Sequence, residues 1–134
     1  MGPALTVRLL LDTHALIWHA LMDPHLPRRA RAAIDDPATP VFVSAASAWE
    51  IATKVRLGKL PGGPLATDFV ARVRAEGFRV LSVRAQDAQE AGGLPGHHND
   101  PFDRMLIAQA LRRDLVFVSN EERFDEYGVT RLWK

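Results

Sequence analysis

Several acidic side chains fall where separate pieces of the chain could bring them together. Asp12 ends the apolar run Val7-Arg8-Leu9-Leu10-Leu11, and Glu50 lies a little beyond Val41-Phe42-Val43-Ser44. Asp100 and Asp103 bracket Pro101-Phe102, and Glu121 follows Leu115-Val116-Phe117-Val118-Ser119. Two carboxylates ~5 Å apart repel by roughly 3 kcal/mol at an effective dielectric near 20. A group of three or four therefore needs protonation or a bound cation. An all-oxygen set completed by hydroxyls and waters suits Mg²⁺ or Mn²⁺ far better than Zn²⁺. Such a site activates water and neutralises a phosphoryl transition state.

Whether these acids meet depends on the elements that carry them. The run before Asp12 is too uniformly apolar for a strand with a wet face, so it reads as central, in a sheet covered on both sides. Val41–Ser44 reads as a second strand and Phe78–Val83 as a third, whose alternation places it nearer an edge. Leu115–Ser119 reads as a fourth, and Arg131–Trp133 as a short edge strand. Between them the spacing predicts helices over Ala15–Trp18, Pro27–Ile34, Ala45–Leu57, Asp68–Glu76, Ala85–Ala91 and Asp100–Leu111. Pro27 is expected at a first helical position, Gly58 and Gly77 at helix ends, and Gly92-Gly93 as a break. Pro61–Pro64 reads as a loop. Strands alternating with helices give an α/β class with a mostly parallel sheet of about five short strands, in one domain spanning residues 1–134.

In right-handed βαβ units each connecting helix starts at the carboxyl edge of the sheet, where ligands of open α/β sheets bind. That edge collects Asp12, Glu50, Asp100, Asp103 and Glu121, with Ser44 and Ser119 beside them. Most have a structural duty open to them as well. Glu50 can form a capping box with Ser47 or pair with Lys54 one turn on. Asp100 is a good N-cap, Asp103 suits the positive end of a helix dipole, and Glu121 can be a solvated turn residue. Asp12 has no such capping duty. His97 and His98, in a Gly/Pro-rich loop, read as solvated, and Trp18, Trp49 and Trp133 as core or interface.

The bulk numbers narrow the class. The chain has 134 residues, a net charge of +1 and no cysteine, which excludes disulfides and thiolate metal sites. A strongly basic, nucleic-acid-coating surface is not indicated, and the positive charge is nearly all arginine, which suits local phosphate contacts. No apolar run approaches the ~20 residues of a membrane span. Met1 to Thr6 lacks the features of a signal peptide, and its match to a myristoylation pattern through Gly2 and Thr6 reads as coincidence. A cytoplasmic location is expected.

Four stretches, Leu9–Ala15 (LLLDTHA), Ser44–Ile51 (SAASAWEI), Asp100–Ala110 (DPFDRMLIAQA) and Val118–Phe124 (VSNEERF) with Tyr127-Gly128, together resemble the PIN-domain family. More closely they resemble the VapC toxins of bacterial toxin–antitoxin pairs. The resemblance implies a three-layer α/β/α fold and a Mg²⁺- or Mn²⁺-dependent endoribonuclease acting on single-stranded or looped RNA. By motif position Asp12, Glu50 and Asp103 match the first three acids and metal ligands of the family. Glu121 stands where the family usually has Asp, and Ser119 where it often has Thr. Asp100 matches a supporting acid. For such an enzyme Arg104, beside Asp103, is the first candidate for a local phosphate contact. The resemblance further implies a homodimer and a small DNA-binding antitoxin of the VapB kind. Two alternatives are a receiver-like phosphoacceptor signalling domain and an inactive PIN-like scaffold that only binds RNA or protein.

Overall fold

The computed structural model describes residues 7–134, so the readings made on Met1 to Thr6 lie outside it. Five short strands form one sheet: β1 (Leu9–Leu11), β2 (Val41–Ser44), β3 (Arg79–Leu81), β4 (Val116–Val118) and β5 (Arg131–Leu132). Among the described residues seven α-helices accompany them: α1 (Thr13–Ala20), α2 (Arg28–Asp35), α3 (Ala45–Arg56), α4 (Pro64–Thr67), α5 (Phe69–Ala75), α6 (Ala85–Gly93) and α7 (Pro101–Arg113). A 3₁₀ helix over Glu122–Tyr127 leads into β5.

The sheet order is β3-β2-β1-β4-β5, and every pairing is parallel. β1 is central, as its apolar run requires, with Leu9, Leu10 and Leu11 all buried. Alternation along the strand sends these side chains to opposite faces. Leu9 and Leu11 pack with Val41, Val43, Leu16, Ala30, Ile34, Ile51 and Val73, which brings α1, α2, α3 and α5 onto one face. Leu10 packs with Phe117, Leu106, Ile107, Ala110 and Phe124, which brings α7 and the 3₁₀ helix onto the other. The result is the expected three-layer α/β/α arrangement. Truncating a fully buried leucine such as Leu10 to Ala costs roughly 2–5 kcal/mol, because the close-packed layers cannot collapse around the gap.

Some local expectations are corrected. Pro64 is not loop but opens α4, and Pro27 is the N-cap of α2, one residue before its first turn. Gly92-Gly93 does not break α6, which runs through Gly93. The reason is tertiary: Arg104 of α7 donates to the carbonyls of Ala91 and Gly92, which the helix end leaves without partners. Gly58 and Gly77 end their helices as expected, with φ of 74° and 81°. Among the described residues no helix is long and apolar enough to cross a membrane.

The strand order also decides between the readings. β2 and β3 extend the sheet to one side of β1, β4 and β5 to the other, so the topological switch lies between β1 and β4. Receiver-like modules have the order 2-1-3-4-5 instead. In addition β3 ends in Leu81, where such a module needs its phosphoacceptor. The receiver alternative is therefore set aside.

Candidate functional site

Asp12 and Ser119 follow the paired strand ends Leu11 and Val118 at that switch point. Asp12 occupies the N-cap position of α1, yet its carboxylate caps nothing. It accepts a 2.7 Å hydrogen bond from Ser119 Oγ instead, while Ser119 Oγ accepts from the Glu121 N–H at 3.1 Å. One buried hydroxyl thus ties the first acid to the backbone of the last. Thr13 Oγ1 and Ser47 Oγ lie 2.9 Å apart, fastening the start of α1 to the first turn of α3 and bringing Glu50 beside Asp12.

Glu50 is nearly sealed, at 3% exposure. Its Oε2 accepts from Lys54 Nζ at 2.5 Å, and its Oε1 is buried with no partner at all. Of the two duties open to Glu50, pairing with Lys54 is the one it performs. The capping box with Ser47 does not form, because Ser44 caps α3 by accepting from the Ala46 N–H at 3.0 Å. Ser44 is therefore a buried helix cap rather than a group facing the acids.

Asp100 is the N-cap of α7, accepting from Phe102 N–H at 2.9 Å and Asp103 N–H at 3.1 Å through one oxygen. Asp103, in the first turn, lies 2.8 Å from His98 Nε2. His98 is only 16% exposed and stands edge-on to Phe124, which stacks on Phe117 in the core. The solvated reading of His98 is corrected: the loop is held. Arg104 supplies that hold, donating to the carbonyls of Ala91 (2.9 Å), His98 (2.9 Å), Leu94 (2.5 Å) and Gly92 (3.5 Å). With four of its five N–H groups so committed, Arg104 is a loop anchor and not a free RNA contact. Gly96, at φ 97°, lets the same loop pass over Tyr127, whose hydroxyl oxygen would lie 2.8 Å from any Cβ there.

One cleft of about 250 Å³ is lined by His98 together with His14, Trp18, Lys54, Asn120, Arg123 and Phe124. Asp12, Glu50, Asp100, Asp103 and Glu121 all border it. Burial, with Asp103 and Glu50 nearby, pushes the Asp12 carboxyl up to about 6 despite the Ser119 hydrogen bond and His14. Burial also raises Asp103, helped by Asp100 and Glu50 and opposed by His98. Glu121 differs. Hydrogen bonds from Arg123 hold it below the usual range, and its carboxylate also caps the 3₁₀ helix. The acids form an inner group of Asp12, Glu50 and Asp103 and an outer Glu121 already matched by a cation.

As they stand, no three of the described His, Asp and Glu side chains are grouped tightly enough to hold an ion. Lys54 and His98 each occupy one oxygen of Glu50 and Asp103, and Arg123 engages both oxygens of Glu121. The donor chemistry nonetheless fits a hard divalent cation: carboxylate oxygens predominate, and Glu50 Oε1 is a buried acceptor with nothing to accept from.

The sequence from residue 9 to residue 129 matches the PIN domain family model. The chain belongs to the PIN-domain family. Several solved structures share its fold at low identity. A chain of VapBC2 from Rickettsia felis, in a complex bound to a promoter DNA fragment, matches with a TM-score of 0.71 at 12% identity, covering 96% of this chain and 100% of that one. VapC20 from Mycobacterium tuberculosis, described as a toxin cleaving the sarcin–ricin loop, gives 0.67 at 17%, covering 94% and 99%. A chain of FitAcB from Neisseria gonorrhoeae gives 0.62 at 20%, covering 92% and 96%. No curated protein matches the sequence. In this PIN domain, His98, Lys54 and Arg123 are the cleft residues that sequence reasoning either missed or gave only a structural part. For Lys54 the i,i+4 spacing was the signal; His98 gave none that separates it from an ordinary loop histidine.

Proposed function

We propose that the protein is a divalent-metal-dependent endoribonuclease, the toxin of a toxin–antitoxin pair, acting on single-stranded or looped RNA. The observation that carries this reading is the cleft at the carboxyl edge, which Asp12, Glu50 and Asp103 all border and where Glu50 Oε1 is buried without a partner. Membership of the PIN family supports nuclease chemistry, and the similarity in fold to toxins such as VapC20 supports the toxin role.

In this reading Asp12, Glu50 and Asp103 hold Mg²⁺ or Mn²⁺, which when bound lowers the pKa of water and neutralises charge on the phosphoryl group. Ser119 fixes the Asp12 carboxylate, and His98 fixes that of Asp103, with Arg104 holding the His98 loop. Asp100 sets the start of α7 and so the place of Asp103. Glu121 orients water at the outer rim. Water attacks phosphorus in line and the 3′ oxygen leaves, giving a 5′-phosphate and a 3′-hydroxyl. Splayed single-stranded backbones reach such a cleft more readily than an A-form duplex. A homodimer, and a small VapB-like antitoxin whose tail covers the cleft, complete the proposal.

The purified protein is expected to cut structured RNA internally with Mg²⁺ or Mn²⁺ and to stop with EDTA. Asp12→Asn, Glu50→Gln and Asp103→Asn are each expected to slow cleavage at least about 100-fold, since each removes charge facing the transition state. Glu121→Gln is expected to lose less, being paired with Arg123 outside the inner group. Undiminished cleavage by Asp103→Asn would remove the assignment. RNA binding without cleavage under any metal would favour the inactive scaffold.

A further inference from the structure

Lys54 is not one of the residues that the family motifs mark, yet it lines the acid cleft and contacts its most buried acid, Glu50. It lies one turn after Glu50 on α3, its Nζ 2.5 Å from Glu50 Oε2, and it borders the same cavity as Asp12, Asp100 and Asp103. An exposed i,i+4 pair of this kind does little. Here the carboxylate is 3% exposed and the lysine 28%, and the second carboxylate oxygen is buried without a partner. A buried carboxylate with one oxygen satisfied and one open is a half-filled cation site. The ammonium carries a single charge and fills one side of it.

We infer that Lys54 is a resident counter-ion of the acid cleft: it positions the Glu50 carboxylate in the metal-free protein and competes with the divalent cation for it. The inference rests on the metal-dependent reading above. Two consequences follow from charge alone. Without Lys54, Glu50 is left buried and uncompensated among Asp12, Asp100 and Asp103, so the metal-free fold loses stability. A divalent ion entering the cleft of that variant no longer meets a neighbouring positive charge or has to displace it, so it binds more tightly. Lysine suits the role because its charge sits on a flexible stem that can swing aside, while the carboxylate stays fixed on α3. The device keeps the cleft neutral enough to fold before metal arrives, and sets how much free cation is needed to load it.

Substrate-free Mn²⁺ titration of the full chain tests this, by calorimetry for affinity and by thermal melting for stability. Lys54→Met is expected to melt below wild type in EDTA and to bind Mn²⁺ about tenfold more tightly, with a larger rise in melting temperature on loading. Lys54→Gln keeps a hydrogen-bond donor without the charge, so it too is expected to bind Mn²⁺ more tightly, with a smaller loss of stability. Lys54→Arg is expected to restore wild-type affinity. Equal or weaker Mn²⁺ binding by both Lys54→Met and Lys54→Gln, with wild type binding normally, overturns the counter-ion role alone. Failure of wild type to bind Mn²⁺ at millimolar concentration overturns the metal reading, and the Lys54 inference with it.

Discussion

Burial dominates the behaviour of Asp12. Its carboxyl, raised from 3.8 to about 6, holds a proton in the folded chain across a window where the unfolded chain has released it. Stability contributed by that proton is fully present below 3.8 and is lost as pH rises through about 6. Above the window the ionised carboxylate costs the metal-free fold up to about 3 kcal/mol. Asparagine keeps an oxygen for Ser119 and removes the charge. Asp12→Asn is therefore expected to match wild type near pH 4 in EDTA and to melt above it beyond pH 6. Melting curves across that range check it. A variant that melts lower at pH 7 would mean that Ser119 needs a charged acceptor more than the fold needs relief from repulsion.

At the scale of elements, the position of α7 matters most, because it carries Asp100 and Asp103. Its far end is fixed by Asp87 of α6, a fully buried carboxylate that accepts from the two terminal nitrogens of Arg113 (2.7 and 3.0 Å), from Arg112 (3.1 Å) and from Gln109 (3.4 Å). Desolvation alone would raise this acid. The hydrogen bonds from Arg113, the Arg84 N–H and Gln109 outweigh it and bring Asp87 down to about 2. A depressed carboxylate contributes stability above its unfolded value of 3.8 that disappears as pH falls through about 2. Asp87→Asn is expected to lose about 2 kcal/mol at pH 7, with the gap to wild type closing toward pH 2. Urea unfolding at several pH values reads this directly. A gap that stays constant with pH would make the contribution of Asp87 one of packing rather than charge.

For the whole molecule, three layers press five acids onto one edge of a parallel sheet, and in the proposed reading a bound divalent cation offsets the cost of that arrangement. Mg²⁺ is expected to raise the melting temperature of wild type by mass action, since the ion binds the folded state preferentially. That increment is expected to shrink or vanish in Asp12→Asn. In Asp36→Asn it is expected to persist, because Asp36 caps a turn at the Ala38 N–H and takes no part in the cleft. Scanning fluorimetry across a Mg²⁺ titration compares the three proteins. An equal response in wild type and Asp12→Asn would take Asp12 out of the metal site.

The amino-acid sequence by itself determined the order of the strands and of every helix but α4, the central place of Leu9–Leu11 and the carboxyl edge as the meeting place of the acids. Period and run length are local, and the handedness of parallel crossovers then leaves little choice. It also carried Asp100 as a cap and Lys54 as a partner for Glu50, both readable within one helical turn. What only the tertiary structure decided is which cations and hydroxyls each acid meets. Ser119 reaches Asp12 across 107 residues, and Arg113 reaches Asp87 across 26. Arg104 looked free because arginine beside an acid suggests a phosphate contact, but packing α7 against the end of α6 turns its guanidinium to unpartnered carbonyls. His98 looked solvated because its loop is rich in glycine and proline, yet Arg104 and Phe124 hold it against Asp103. Such pairings depend on where distant backbone ends leave donors and acceptors unmatched, and no local pattern encodes that.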